Sequence, residues 1–326
     1  MKFDFFAEII LIIIMTTIFP AILTAEDFSI HFRDDFWLDF VKEICRRHNI
    51  SGNFPKRAEH GESVVFLLGE KYVVKIYIPN KNGMRREKSA LEFAKTCFKM
   101  PEIIASGQIE NFDYLVMTQI AGESITRDIW LNLEKSEQIQ ILSELAHGLT
   151  ELHASETAQI DFDWHKFIES QAENCIGRQR LCGVNSQILE SLPVFLEANL
   201  KLLPANFKQV FLHGDVHFGN LRFKQRNGRW QISGLFDFAD SLRGFHEYDF
   251  LAIGVLMIQG QGDLQREFFR AFGYADSEID ETLRRRLMLL TCFYEWSNLR
   301  RYALRLRPEA VNYSLEKLEK AIWNFV

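Results

Sequence analysis

HGDVHFGN at residues 213–220, with LFDF following at 235–238, is the densest polar cluster lying between apolar flanks in this chain. Strand-like residues stand on either side of it: VFL before, LRF after, and RWQISGLFDF beyond Asn227-Gly228. That dipeptide suits a two-residue hairpin turn, because both of its residues tolerate positive φ. Folding the hairpin back on itself puts Asp215 and Asn220 on the loop that enters it and Asp237 on the loop that leaves it. All three then meet at one end. Two carboxylates and an amide carbonyl at one point suit Mg²⁺, a hard cation that takes oxygen ligands and keeps waters for a phosphate partner. The step from Asp215 to Asn220 lets the acid face a substrate hydroxyl while the amide faces metal.

Working outward, the amino-terminal side is strand-rich. SVVFLLGEKYVVKIYI at 63–78 reads as a hairpin broken at Gly69-Glu70-Lys71. A helix at Asp34–His48 precedes it, and a second at Met84–Lys99 follows, with Pro101 just beyond. Another strand, YLVMTQI, runs at 114–120. From Ser136 the texture turns helical, first in EQIQILSELAHGLTELHA and again from Ser186, a candidate N-cap, to Leu203. Beyond Tyr248 nearly everything reads helical to Val326. The fold class expected is α+β and two-lobed: a β-rich amino lobe at 26–120 and a mainly helical carboxyl lobe at 121–326, with the boundary between Thr118 and Ser124.

HGDVHFGN followed by LFDF resembles the catalytic loop and metal-binding segment of the aminoglycoside phosphotransferase family, within the protein-kinase-like fold. There H-G-D-x-x-x-x-N corresponds to the H-R-D-x-x-x-x-N of protein kinases, and the later acid to that of D-F-G. The resemblance implies that Asp215 is the catalytic base, and that Asn220 and Asp237 are Mg²⁺ ligands. It also implies that Asp249 in HEYDFL is a structural acid. Lys75, in the apolar strand YVVKIY, is a charge that burial makes costly unless paired. In the family that Lys holds the α/β-phosphates of ATP and pairs with a helix Glu. Glu87 in REKSALEFA fits this role, with Leu91 on the same helix face, and Glu92 is the fallback. By the same resemblance Thr118, Gln119 and Ile120 match the hinge that meets adenine, and Gly61 and Ser63 are phosphate contacts. The cofactors implied are ATP and Mg²⁺, and the reaction is γ-phosphoryl transfer to a hydroxyl of a small molecule.

Two other classes compete. A catalytically silent binding module of the same fold would lack the Lys, the base or the metal Asp, and all are present. A metal-dependent hydrolase would use His213, Asp215 and His217 as zinc ligands, which accounts for neither Asn220 nor Lys75. His213 reads as a structural histidine. The arginines at 284–286 and 300–307 read as solvated helix faces, and Asp240, Glu247 and Glu295 are the acids a substrate pocket could recruit. Across Ser241–Val326 acids and bases nearly balance, so no strong trap for a polycation is visible.

Composition narrows the rest. In 326 residues the net charge of -6 argues against a bulk electrostatic grip on nucleic acid. Five scattered cysteines without a CxxC pair make neither a disulfide framework nor a Cys-rich zinc site. The apolar segment within residues 1–25 is shorter than the ~18–20 residues of a spanning helix, and Pro20 interrupts it. It admits three readings: a signal or anchor, a buried helix, or a misplaced start with initiation at Met15. The resemblance, which begins near Phe19, favours Met15. A donor of ATP implies a cytoplasmic address with no stable membrane span.

Overall fold

A computed structural model describes residues 22, 24–51, 54–58, 61–79 and 81–326. The expectation of a start at Met15 lies outside the described residues. The chain divides into two compact units, Met1–Met84 with Glu102–Gln119, and Arg85–Pro101 with Ile120–Val326. The division differs from a simple split at residue 120, because the segment after Met84 groups with the helical unit.

The first unit is a five-stranded antiparallel sheet in the order β1-β2-β3-β5-β4, built from β1 (Pro55–Arg57), β2 (Val64–Leu68), β3 (Tyr72–Ile76), β4 (Ile103–Ile109) and β5 (Phe112–Thr118). β2 reads VVFLL, and the period of two buries Val64, Phe66 and Leu68 on one face. Two helices, α1 (Ala25–Ile30) and α2 (Phe36–Arg47), belong to this unit. α2 buries Trp37, Phe40, Val41 and Ile44 in the core that the sheet shares. β4 carried little sequence signal: IIASGQI has no clean alternation. Gly107 is required there, since a Cβ would come 2.6 Å from the Tyr114 hydroxyl on the neighbouring strand.

α3 (Gly83–Phe93) stops well short of the expected Lys99. The reason is tertiary. Lys95 N–H donates to Ser155 Oγ at 2.8 Å and Thr96 Oγ1 donates to the Gly148 carbonyl at 3.1 Å, so the chain is drawn onto another helix. That helix belongs to the second unit, which contains α4 (Arg127–Asn132), α5 (Lys135–His153), α6 (Trp164–Leu181) and α7 (Ser186–Asn199). α7 is capped by Asn185, whose side chain accepts from Ile188 N–H, rather than by Ser186. α6 escaped the sequence reading, although Asp163 caps it as an acceptor for Lys166 N–H.

The small β patch follows. β6 (Val210–Leu212) pairs with β9 (Leu242–Gly244), and β7 (Leu221–Arg226) pairs with β8 (Arg229–Leu235). Asn227 and Gly228, at φ 50° and 74°, make the β7–β8 turn that the sequence predicts. A short α8 (Phe250–Ala252) continues as a π turn over Ile253–Ile258. α9 (Gly262–Phe272), α10 (Glu281–Phe293), α11 (Leu299–Leu306) and α12 (Leu315–Ile322) complete the unit. Among the described residues, no helix is long and apolar enough to cross a membrane.

Candidate active site

The loop that enters the β7–β8 hairpin and the loop that leaves it are joined at the neck, where Phe236 N–H donates to the Asn220 carbonyl at 3.0 Å. This places Asp237, the next residue, beside the Asn220 end of the first loop. Asn220 in turn donates its side-chain amide to the Asp215 carbonyl at 2.9 Å. Asp237 holds φ 67°, a left-handed conformation that a non-glycine residue adopts at some energetic cost.

The first loop is held from beneath by Asp249, which is fully buried. Its Oδ1 accepts from Gly214 N–H at 2.8 Å, and its Oδ2 accepts from His213 N–H at 3.1 Å and lies 2.8 Å from His153 Nε2. Gly214 needs its glycine: φ is 87°, and a Cβ would sit 2.5 Å from the Asp240 carbonyl. His213 is buried with both ring nitrogens used. Nδ1 accepts from Asp215 N–H at 3.3 Å, so Nε2 carries the proton and donates to the Phe236 carbonyl at 3.0 Å.

Asp215 keeps partial access to solvent while both carboxylate oxygens find donors. His217 Nδ1 accepts from Gly219 N–H, which leaves its Nε2 as the donor to Asp215 Oδ2 at 3.2 Å. The Tyr294 hydroxyl donates to Asp215 Oδ1 at 2.5 Å. Burial pushes the Asp215 carboxyl up, but the hydrogen bonds from His217 and the Tyr294 hydroxyl outweigh it and hold the group below its ordinary value. Burial and the same carboxylate raise the Tyr294 phenol well above its ordinary value, so it stays a neutral donor.

Further acids surround this point. Asp240 is pushed up to about 7, first by burial and then by Glu295, Asp237 and Asp215, with Arg86 opposing them. The Trp296 indole N–H lies 3.3 Å from Asp240 Oδ2. Glu87, buried on α3, accepts from Phe238 N–H at 3.3 Å, whereas Glu92 is exposed. Sequence reasoning named Asp240 and Glu295 without placing them and missed Tyr294 altogether.

The remaining candidates lie on the first unit, except for Ile120. Lys75 on β3 is buried, its Nζ 5.2 Å from the Tyr77 ring centroid. Gly61, at φ 133°, and Ser63 lead into β2. Thr118 and Gln119 spend their backbone N–H groups inside the unit, on the Glu102 and Lys71 carbonyls at 2.9 Å each. Neither N–H is therefore left over for a nucleotide. Ile120 opens the second unit and is buried.

A protein-family profile described as "Phosphotransferase enzyme family" matches residues 56–289. The chain belongs to this family. It is a phosphotransferase. Among solved structures, one similar chain is wild-type aminoglycoside 2'-phosphotransferase-IIIa in its GDP complex, at 16% identity, TM-score 0.65, and 89% and 99% coverage of the two chains. A second is APH(2'')-IIa in a ternary complex with streptomycin and ATP, at 18% identity, TM-score 0.57, and 86% and 97% coverage. A third is a thermostable mutant of aminoglycoside phosphotransferase APH(4)-Ia with ADP and hygromycin B, at 15% identity, TM-score 0.58, and 86% and 97% coverage. No curated protein sequence matches.

Three expectations need correction in this phosphotransferase. Among the described residues, no three His, Cys, Asp or Glu side chains form a group able to hold a metal ion, and His213 has no free ring nitrogen to offer zinc. Glu247 is not a substrate-facing acid, because it is buried and held by Arg286 at 2.6 Å and 2.7 Å and by the Tyr274 hydroxyl at 2.8 Å. Arg284 and Arg286 are not a solvated helix face. Each reaches inward to a buried glutamate, Arg284 to Glu319 and Arg286 to Glu247.

Proposed function

We propose that this phosphotransferase uses Asp215 as the base, Asn220 and Asp237 as Mg²⁺ ligands, and an acceptor that carries ammonium groups. The observation that carries the reading is the gathering of Asp215, Asp237 and Glu295 around Asp240, which burial first and then these acids push up to about 7. Such a gathering of carboxylates favours cations. The donor set fits Mg²⁺: Asp237 offers a carboxylate, and Asn220, whose amide nitrogen is already donated, keeps its Oδ1 as a neutral hard acceptor. When bound there, Mg²⁺ would neutralise charge on the phosphate oxygens.

In the transfer, a bond forms between the acceptor oxygen and the γ-phosphorus as the bond from that phosphorus to its bridging oxygen breaks. The hydroxyl proton passes to Asp215, and a nucleoside diphosphate leaves. Lys75 holds the phosphates, with Glu87 as its orienting acid and Gly61 and Ser63 as backbone contacts. The adenine edge falls to hinge carbonyls and to Ile120, since Thr118 and Gln119 have no N–H to spare. Positioning and electrostatics supply the acceleration.

The acceptor reading is supported by Asp240, Glu295 and the Trp296 ring at the same place, and it takes up two of the three acids named from sequence. ATP supply favours a cytoplasmic address. The deciding experiment is an ATP-consumption screen over kanamycin, gentamicin, choline and neutral sugars, with mass detection of the phosphorylated product. Turnover should favour the ammonium-bearing acceptors and fall in Asp240→Asn and Glu295→Gln. Preference for neutral sugars, indifferent to both substitutions, would overturn the acceptor class.

A further inference from the structure

Tyr294 is the first residue after α10, at the head of the non-helical segment that carries Glu295 and Trp296. Its ring is buried and packs edge-on to Tyr248, with centroids 5.6 Å apart. The Tyr248 hydroxyl accepts from Glu295 N–H at 3.1 Å, which pins the next residue of the segment. The Tyr294 proton goes to Asp215 Oδ1 at 2.5 Å, while the other carboxylate oxygen meets His217 Nε2 at 3.2 Å and Asn220 Nδ2 at 3.5 Å. A carboxylate has roughly four lone-pair sites. Donors on both oxygens fix the plane of the group and leave the unused sites for an acceptor hydroxyl.

We propose that Tyr294 is a positioning residue for phosphoryl transfer, which sets the plane of the Asp215 carboxylate and ties it to the Glu295–Trp296 segment that faces Asp240. The proposal rests on the reading of Asp215 as the base. Tyr302 is the internal contrast. It is equally buried, but its hydroxyl donates to the Trp296 carbonyl at 3.2 Å, so losing it touches no carboxylate.

The test is a double-mutant cycle on the full chain with MgATP, with gentamicin as acceptor and hydrolysis by water as the acceptor-free readout. Tyr294→Phe should lower the single-turnover rate about 10- to 100-fold, the worth of a hydrogen bond to a charged group. Nucleotide affinity should stay within about twofold. In an Asp215→Asn background the same change should cost nothing further, because its object is gone. Tyr302→Phe should cost the same small factor in both backgrounds. An equal fold-loss from Tyr294→Phe in both backgrounds, or a wild-type rate in the single variant, overturns the proposal. If Tyr294→Phe does not fold, a fluorinated tyrosine at 294 keeps the ring and alters only donor strength. A changed rate with unchanged nucleotide affinity then supports the proposal, and an unchanged rate overturns it. A wild-type rate in Asp215→Asn alone overturns the base assignment itself, which is a separate result.

Discussion

Asp215 and Asp237 bear the same charge, but the proposed mechanism gives them different relations to the reaction, so their removal should read differently. Asp215→Asn should leave Mg²⁺-dependent nucleotide binding nearly intact and slow the chemical step by about 10²–10⁴, the usual worth of a positioned base. Asp237→Ala should weaken nucleotide binding as well as turnover, and should abolish the difference between titrations with and without Mg²⁺. Loss of metal-dependent binding in the first variant and its retention in the second would reverse the roles. Asp249 works at the same scale by a different route. Asp249→Ala would strand the buried N–H groups of His213 and Gly214 and the His153 ring at once. Unpaired buried donors of this kind cost about 1–3 kcal/mol each, so urea unfolding should show a loss of at least about 3 kcal/mol. A loss under about 1 kcal/mol would mean that water replaces the carboxylate at little cost.

At the scale of elements, helix ends test which residue the fold uses. Asn185 accepts from Ile188 N–H at 2.9 Å, and its amide donates to the Val311 carbonyl at 2.6 Å and the Tyr313 carbonyl at 3.2 Å. Asn185→Ala should therefore cost about 1–2 kcal/mol, at or above the usual worth of a cap. Ser186→Ala, one residue along, should change stability by less than about 0.5 kcal/mol. Equal effects in thermal melts would contradict the capping geometry. The arginines of α10 behave in the same way. Arg286→Ala leaves Glu247 buried without its guanidinium, whereas a solvated arginine would be replaced at almost no cost.

At the scale of the whole molecule, a buried network makes stability depend on pH. His246 donates from Nε2 to the Tyr274 oxygen at 2.8 Å, since the Tyr274 proton goes to Glu247. Burial first, then His153 and Arg286, hold its pKa down at about 4, with Asp249 opposing. The unfolded value is about 6.5. The native state thus refuses a proton that the unfolded chain accepts. The stability it contributes is complete above pH ~6.5 and declines as pH falls, reaching a loss of at most about 3 kcal/mol below pH ~4. His246→Gln keeps a donor for Tyr274 and removes the titration. Its melting temperature should fall less than that of the wild type between pH 6.5 and 4.5, and parallel curves would sink the assignment.

Short-range patterns were enough for the strands around Gly69, the turn at Asn227-Gly228, α2, α5 and the convergence of Asp215 with Asn220. Each rests on neighbouring residues, whose spacing sets which side faces the core and whose turn chemistry brings the chain back. Placement of other residues depended on the fold. Tyr294 meets Asp215 across 79 positions, Asp249 meets Gly214 across 35, and Arg286 meets Glu247 across 39. α3 ends at Phe93 because Ser155 takes the Lys95 N–H, which no residue near Phe93 announces. The chain by itself determined its local geometry and the polar chemistry of the loop at 213–220. Which distant donor reaches each carboxylate was decided only by tertiary packing, because a buried group takes whatever partner the fold brings within hydrogen-bonding distance.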